Sequence, residues 1–195
     1  MRALVIYCHP VEGSFCSAMR DAAVRGLNAG GHDVSVIDLA ADDFDPVMSS
    51  DEWEKYMQRG DNHAPEILRY MEMVKNSEIL VFVYPTWWSG LPAQLKGWME
   101  RVLVAGVAFR FNDKNRVRPG LMQLRRIHVI STYGSPKLYV RIANDNGRRI
   151  LLRALRMSGP WRTHTSHQGL FALDTSTVES RKKFLSDIEK KTASL

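Results

Sequence analysis

The sequence has little cysteine and no long apolar run. Its 195 residues include only two cysteines, Cys8 and Cys16. Two thiols do not provide a disulfide framework, so we expect both to be buried and structural, with a local thiol role as the alternative. No run approaches the ~18 apolar residues of a membrane span, and the first residues lack the pattern of a signal peptide. We therefore expect a cytoplasmic protein without membrane insertion.

Several ligand-binding motifs are absent as well. The sequence has no G-x-G-x-x-G dinucleotide fingerprint and no G-x-x-x-x-G-K-S/T phosphate loop, which argues against both of those nucleotide sites. His164 and His167 stand three residues apart. That pair lacks the third and fourth ligands that a metal ion needs, so we expect no metal site.

The composition is that of a basic globular domain. Apolar residues make up 45% and charged residues 25%, and 27 Lys and Arg against 21 Asp and Glu give a net charge of +6. A basic balance favours anionic partners. No nucleic-acid motif is visible, so we expect no nucleic-acid partner, and a phosphate-bearing cofactor would also suit this charge.

Strand and helix patterns alternate along the whole chain. Ser49 and Glu52 have the spacing of a capping box for a short helix that ends at Gln58. Strands are predicted over residues 2–8, 33–39, 79–84, 127–131 and 161–171. Longer helices are predicted over residues 15–27, 65–75, 92–102, 145–157 and 177–191.

This alternation predicts one α/β domain over residues 1–195. We expect a doubly wound five-stranded parallel sheet with helices on both faces. If its strand order is 2-1-3-4-5, as in one common class of such sheets, the loops after strands one, three and four meet at one edge, where ligands of such folds bind.

Two of these loops carry residues suited to a ligand. Ser14 is predicted to cap the helix after the first strand, and free amides at such a helix start bind phosphate. Trp87 and Trp88 follow the third strand and offer aromatic faces to a flat ligand, although they would equally serve to plug the top of the sheet.

Two other segments leave alternatives open. Residues 105–126 have irregular patterning and are interpreted as a mobile loop or as an exposed hairpin around Phe109 and Phe111. Arg149, Arg153 and Arg156 form a basic stripe, which we interpret as a solvated helix face.

Three loops together resemble one known family. The run P-T-W-W-S-G-L-P-A-Q-L-K-G-W-M-E-R-V is similar to the flavin loop of the NAD(P)H:quinone oxidoreductases, a family of flavodoxin-like NAD(P)H dehydrogenases. His9, Ser14, Phe15 and Cys16 resemble that family's first loop, with Cys16 in place of the usual Asn. The stretch Thr132-Tyr133-Gly134-Ser135 resembles its third flavin loop, with Tyr133 as a departure.

The resemblance implies a fold, a cofactor and an activity. It implies a flavodoxin-like fold that holds FAD, with FMN possible. It also implies two-electron ping-pong transfer from NAD(P)H through the flavin to a quinone or similar acceptor. Tyr139 would be the catalytic residue, and no His follows it as in some relatives. The cofactor-binding residues implied are His9, Ser14, Phe15, Cys16, Pro85, Thr86, Trp87, Trp88, Ser89, Thr132, Tyr133, Gly134 and Ser135.

The same resemblance implies a homodimer whose pocket is completed by the second subunit. It also leaves an alternative function: a flavin-binding regulatory or ancillary subunit of a membrane transport system. A simple electron carrier is a third possibility, which the basic charge disfavours. The sequence does not separate FAD from FMN or NADH from NADPH, and it does not identify the acceptor.

Overall fold

The fold is built outward from β1 (Arg2–Tyr7), which has a neighbouring strand on each side. It is seen in a computed structural model that describes residues 1–58 and 63–195. The main sheet has the order β2-β1-β3-β6-β7, and every pair in it is parallel. The other members are β2 (Asp33–Asp38), β3 (Ile79–Pro85), β6 (Arg126–Thr132) and β7 (His164–Leu170). This is the predicted 2-1-3-4-5 order, because β6 and β7 are the sheet's fourth and fifth strands.

Helices cover both faces of the sheet. The long ones are α1 (Phe15–Ala29), α3 (Pro65–Asn76), α4 (Ala93–Val102) and α7 (Val178–Ala193), and the shorter ones are α2 (Ser50–Gln58), α5 (Lys137–Ile142) and α6 (Asn146–Arg149). Alternate residues of β1 enter two cores: Val5 joins the α1 and α7 side, and Leu4 joins the α3 and α4 side. Because β1 is apolar at both sets of positions, it is buried on both faces, as parallel strands are.

The predicted N-terminal caps of α1 and α2 are confirmed. The Ser14 side chain accepts from the Ser17 amide at 3.2 Å. Ser49 and Glu52 form both bonds of the capping box, at 3.0 and 3.2 Å. Pro92 is the N-cap and not the first helical residue, so α4 begins at Ala93.

The predicted helix over residues 145–157 is wrong in detail. Asp145 has a left-handed backbone, with φ of 45°, and lies outside the helix. The chain then forms α6, a π-helical segment (Ile150–Ala154) and a 3₁₀ turn (Leu155–Ser158). Helix α5 was not predicted. Within residues 105–126, β4 (Phe109–Phe111) and β5 (Val117–Pro119) pair as an antiparallel hairpin, so the hairpin alternative is the correct one.

Both thiols are buried and unbridged, as expected. Burial raises the pKa of Cys8 to about 11 and that of Cys16 to about 12. Since a thiolate is the reactive form of cysteine, these side chains act as small apolar residues. Across residues 1–58 and 63–195, no helix combines the length and apolar character needed to cross a membrane.

We predict that His128 makes folding stability sensitive to acid. The ring is fully buried between Ser166 Oγ at 2.8 Å and Gln168 Oε1 at 3.0 Å. Burial lowers its pKa from 6.5 to about 4. Between these values only the unfolded chain binds the proton, so stability falls as pH drops through this window. From pH 7 to pH 5 the contribution lost is roughly 2 kcal/mol.

Urea unfolding at both pH values measures this loss. His128→Gln should show a smaller difference between the two pH values than the unsubstituted protein. His164→Gln is the control, because His164 is exposed in β7. An equal pH difference in all three proteins would contradict the prediction.

Candidate active site

The loops after β1, β3 and β6 meet at the carboxyl edge of the sheet, as predicted. Pro85 and Thr132 are paired at the ends of β3 and β6, and the Thr86 amide donates to the Thr132 carbonyl at 2.8 Å. The ring of His9, in the first loop, lies 6.3 Å from the ring of Trp87. Strand order alone explains this meeting, because β1, β3 and β6 are neighbours in the sheet.

The two tryptophans lie in a tight turn of residues 87–90, which we call the tryptophan turn. The amide of Gly90 donates to the carbonyl of Trp87 at 2.9 Å. Trp88 and Ser89 have φ of 48° and 55°, values that are uncommon for residues with a side chain. Trp88 is fully exposed and Trp87 is 46% exposed. The interpretation that they plug the sheet is therefore wrong, since neither ring is buried.

Helix α6 fixes the far side of the tryptophan turn. The Asn146 amide donates to the Ser89 carbonyl at 3.2 Å. A Cβ on Gly147 would lie 2.9 Å from Gly90 C and from Leu91 N, both backbone atoms. Only glycine permits this approach, so the sequence holds the turn against α6 with no side chain between them.

A cleft of about 290 Å³, which we call the tryptophan cleft, opens between this turn and the loop after β6. Thr86 Oγ1 is buried and has no hydrogen-bond partner among the described residues. Tyr139 is 59% exposed, so its side chain is accessible to a ligand. The predicted site residues that line the cleft are Thr86, Trp88, Ser89, Tyr133, Gly134, Ser135 and Tyr139.

The loop after β1 contributes no residue to the lining of the tryptophan cleft, and it leads into the N-terminus of α1. Ser14 Oγ is engaged with the Ser17 amide, while the amides of Phe15 and Cys16, at the first helical positions, have no intrahelical acceptor. Cys16 is 4% exposed, so only its backbone is offered to a ligand. The Arg181 guanidinium lies 6.0 Å from the centre of the Phe15 ring. This loop has the form of an anion site next to the tryptophan cleft.

The family of the chain is shown by its match over most of its length. Residues 1–159 match a protein family described as having a flavodoxin-like fold. The chain belongs to this flavodoxin-like family. Among solved structures, Smu.1420 from Streptococcus mutans UA159 has a TM-score of 0.87 at 27% identity, with 100% of both chains covered. The flavodoxin-like fold expected from the three loops is confirmed.

Two curated relatives carry the names that the sequence resemblance indicated. NAD(P)H dehydrogenase (quinone) 1 of Cavia porcellus is 32% identical over 153 residues, or 71% of this chain and 55% of that protein. Ribosyldihydronicotinamide dehydrogenase (quinone) of Homo sapiens is 29% identical over 175 residues, or 80% of this chain and 73% of that protein. This flavodoxin-like chain thus spans little more than half the length of the first relative.

Tyr133 of the flavodoxin-like chain is placed differently from its neighbours in the third loop. Although it contributes to the cleft lining, its side chain is 2% exposed, and its ring stacks on Phe171 at 4.6 Å. Its hydroxyl lies 3.1 Å from Asp145 Oδ2, 3.0 Å from Ser131 Oγ and 3.2 Å from His167 Nε2. The expected contact of Tyr133 with a cofactor is thus limited to its small exposed part.

Electrostatics fix the protonation states of this buried cluster. Burial raises the pKa of Tyr133 to about 12 and lowers that of His167 to about 4. At neutral pH the tyrosine is therefore protonated and its hydroxyl donates a hydrogen bond to Asp145, while His167 is uncharged. Arg148 Nε donates to Asp145 Oδ2 at 2.5 Å. A carboxylate that is 5% exposed is thereby paired with a cation and a hydroxyl.

This cluster was not apparent from the sequence. Asp145 falls in a predicted helix, and His167 stands out only beside His164, in a pair that lacks the further ligands of a metal site. In the structure His164 is exposed, and no group of three or more His, Cys, Asp or Glu able to hold a metal occurs in the described parts of the chain. The available signal was the polar run His164 to Gln168 within a strand of a parallel sheet, where apolar residues are usual.

We predict that Tyr133→Phe lowers the free energy of unfolding by about 1–3 kcal/mol, because Asp145 loses a donor while remaining buried. Tyr139→Phe is the matched control: Tyr139 is exposed and its hydroxyl has no partner in the described residues. That substitution should change stability by less than about 0.5 kcal/mol. Urea unfolding at neutral pH measures both values, and equal effects would contradict a structural role for the Tyr133 hydroxyl.

Proposed function

We propose that the protein is a flavin-dependent NAD(P)H oxidoreductase that delivers two electrons to a quinone or a similar acceptor, with donor and acceptor binding in turn. The observation that carries the proposal is the tryptophan cleft. It combines an exposed aromatic ring, a buried hydroxyl without a partner and a free tyrosine hydroxyl in one small space. The names of the two relatives support the same activity.

The residues of this edge fit a flavin. Thr86 Oγ1 needs a partner that the described residues do not supply, and the polar rim of a flavin ring system offers one. Trp88 offers a ring face for stacking. Gly134 is exposed and has no side chain, so its backbone can approach a ring closely.

The first loop suits the cofactor's phosphates. The Phe15 and Cys16 amides, the positive end of the α1 dipole and the Arg181 charge all favour an anion there. Cys16 supplies an amide but no side-chain donor, because its thiol is buried. We propose FAD as the cofactor, with FMN as the alternative.

When bound, the flavin supplies the redox chemistry, accepting a hydride from NAD(P)H and giving two electrons to the acceptor. The protein's own groups orient and tune it. Tyr139 is proposed to hydrogen-bond the acceptor oxygen or the reduced ring, since its hydroxyl reaches the cleft with no partner among the described residues. Asp145 accepts a hydrogen bond from the Tyr133 hydroxyl and is paired with Arg148, and these contacts fix Tyr133 in the lining of the same cleft.

We further propose a cytoplasmic homodimer. Helix α5 exposes Leu138 at 69%, Tyr139 at 59% and Ile142 at 76% beside the tryptophan cleft. Exposed apolar residues grouped in this way are typical of interaction surfaces. A second copy that covers this surface would complete the pocket and exclude water from it.

The first test is the visible spectrum of the purified protein, followed by anaerobic addition of NADPH and NADH. The proposal expects a yellow protein that bleaches on adding either donor and recovers its colour on adding a quinone. Heat-released flavin identifies FAD or FMN. A yellow protein that neither donor bleaches would indicate an electron carrier or a regulatory subunit. A protein that binds no flavin would overturn the assignment of all three loops.

We predict that Thr86→Val separates ligand binding from folding. Valine keeps the side-chain shape and removes the unpartnered hydroxyl, so the flavin-free protein should be equally stable or more stable. Flavin affinity, measured by fluorescence quenching, should fall about fivefold to tenfold through the lost hydrogen bond. The control is Thr165→Val in β7, where Thr165 is exposed. Unchanged flavin affinity in Thr86→Val would remove Thr86 from the site.

We also predict that Trp88→Ala weakens flavin binding roughly threefold to tenfold through the loss of stacking. Trp161→Ala is the matched control, because Trp161 is 77% exposed and is not among the residues that line the tryptophan cleft. Neither substitution should lower stability, since both rings are exposed. Equal flavin affinity in the two variants would show that Trp88 does not contact the cofactor.

A further inference from the structure

A second and larger cleft adjoins the tryptophan cleft on the side of β7. Its volume is about 470 Å³, and the two clefts share Val140 and Asp145 in their linings. Two short helices and the end of β7 form its walls. We call it the basic cleft, after four of the residues that line it: Lys137, Arg141, Arg148 and Arg149.

The charges of the basic cleft are not balanced by the protein. Asp145 is the carboxylate in its lining, and Arg148 is paired with it at 2.5 Å. Lys137, Arg141 and Arg149 form no ion pair with any residue in 1–58 or 63–195. Three cations are therefore left around one cavity, and their mutual repulsion raises the free energy of the empty protein.

Arg149 has a buried donor atom without a partner. Its Nε atom is buried and has no hydrogen-bond acceptor among the described residues. A buried donor without an acceptor is costly, and more so when it is charged. The prediction of a solvated helix face is therefore correct for Arg153 and Arg156, which are exposed. It is wrong for Arg149, which is half-buried.

The rest of the lining suits a ligand that carries an aromatic group as well as charge. Phe171 and the uncharged His167 face the cavity beside the cations, and Lys137 Nζ lies 5.9 Å from the centre of the Phe171 ring. Because the two clefts adjoin, a single extended ligand can occupy both.

We propose that the basic cleft binds the phosphate groups of the nicotinamide donor and that its charge selects NADPH over NADH. This inference rests on the proposed function, whose donor it identifies. The diphosphate of NADH brings about two negative charges, whereas the added 2′-phosphate of NADPH brings about two more. Three unpaired cations therefore match NADPH better than NADH. The Arg149 guanidinium supplies donors in the geometry that phosphate accepts.

Calorimetric titration of the purified protein tests the anion site without any turnover. The probes are adenosine 2′,5′-bisphosphate and adenosine 5′-monophosphate, which differ only in the 2′-phosphate. The unsubstituted protein should bind the bisphosphate more tightly, by about tenfold or more. Arg149→Gln should remove most of this difference, and Arg141→Gln, at an exposed position, serves as a second variant if Arg149→Gln folds poorly.

The matched control is Arg153→Gln, which removes the same charge from an exposed position outside the basic cleft. It should bind both probes like the unsubstituted protein. Equal affinity for the two probes in the unsubstituted protein, or an unchanged preference in both the Arg149 and the Arg141 variants, would overturn the proposal.

Steady-state kinetics identify which substrate the cleft serves. With an uncharged quinone, Arg149→Gln should raise the KM for NADPH about tenfold and that for NADH by a much smaller factor, because NADH lacks the 2′-phosphate. If instead only the KM for a sulfonated acceptor rises, the cleft serves the acceptor and the donor assignment is overturned. The protein could also bind no flavin and show no turnover and yet prefer the bisphosphate through Arg149. That result would support the anion site and overturn the proposed oxidoreductase function.

Discussion

The hydrogen bond from the Thr86 amide to the Thr132 carbonyl, 2.8 Å long, continues the β3–β6 ladder past the last paired residues. Both loops of the tryptophan cleft leave the sheet at this point. A slip of one residue between β3 and β6 would turn every side chain to the opposite face, so the two buried cores hold this register. The position of the tryptophan turn relative to Gly134 and Ser135 is therefore set by the packing of the sheet and not by the loops themselves.

Asp145 links that edge to the rest of the site. Its left-handed backbone, with φ of 45°, interrupts the helix that the sequence pattern suggests and places its carboxylate under the third loop. There it accepts from the Tyr133 hydroxyl and from Arg148. One buried carboxylate thus orients the floor of the tryptophan cleft and neutralises one of the four cations of the basic cleft. A substitution at Asp145 would therefore alter both cavities, because Asp145 lines both of them. Tyr139, which is exposed, lines only the tryptophan cleft.

Features made of residues that are contiguous in the sequence could be predicted, whereas features made of residues far apart in the sequence could not. Most strands were recognisable because each is a short local run of apolar residues, and their order could be expected only from the flavodoxin-like class that the loops resemble. The three loops could be identified because each motif is contiguous. The buried polar cluster could not be predicted, because its members come from separate parts of the chain and meet only when β7 pairs with β6. These members are Ser131, Tyr133, Asp145 and His167. Arg149 was misjudged for the same reason: a helical spacing shows which residues share a face, but not whether that face meets solvent or a cavity.

The carboxyl edge also carries features that folding alone does not explain. Trp88 adopts an uncommon backbone conformation and yet remains fully exposed, so it gains no burial in return. Thr86 Oγ1 and Arg149 Nε are buried without partners in the described chain, at a cost of about 1–3 kcal/mol each. One such group could result from packing alone. Here three of them lie in adjoining cavities: an exposed ring, a free hydroxyl and a free guanidinium donor. We interpret them as parts of one ligand-binding surface. A flat ring beside the first two and a phosphate beside the third would satisfy all three, and under the proposals above a flavin would supply the ring and a dinucleotide donor the phosphate.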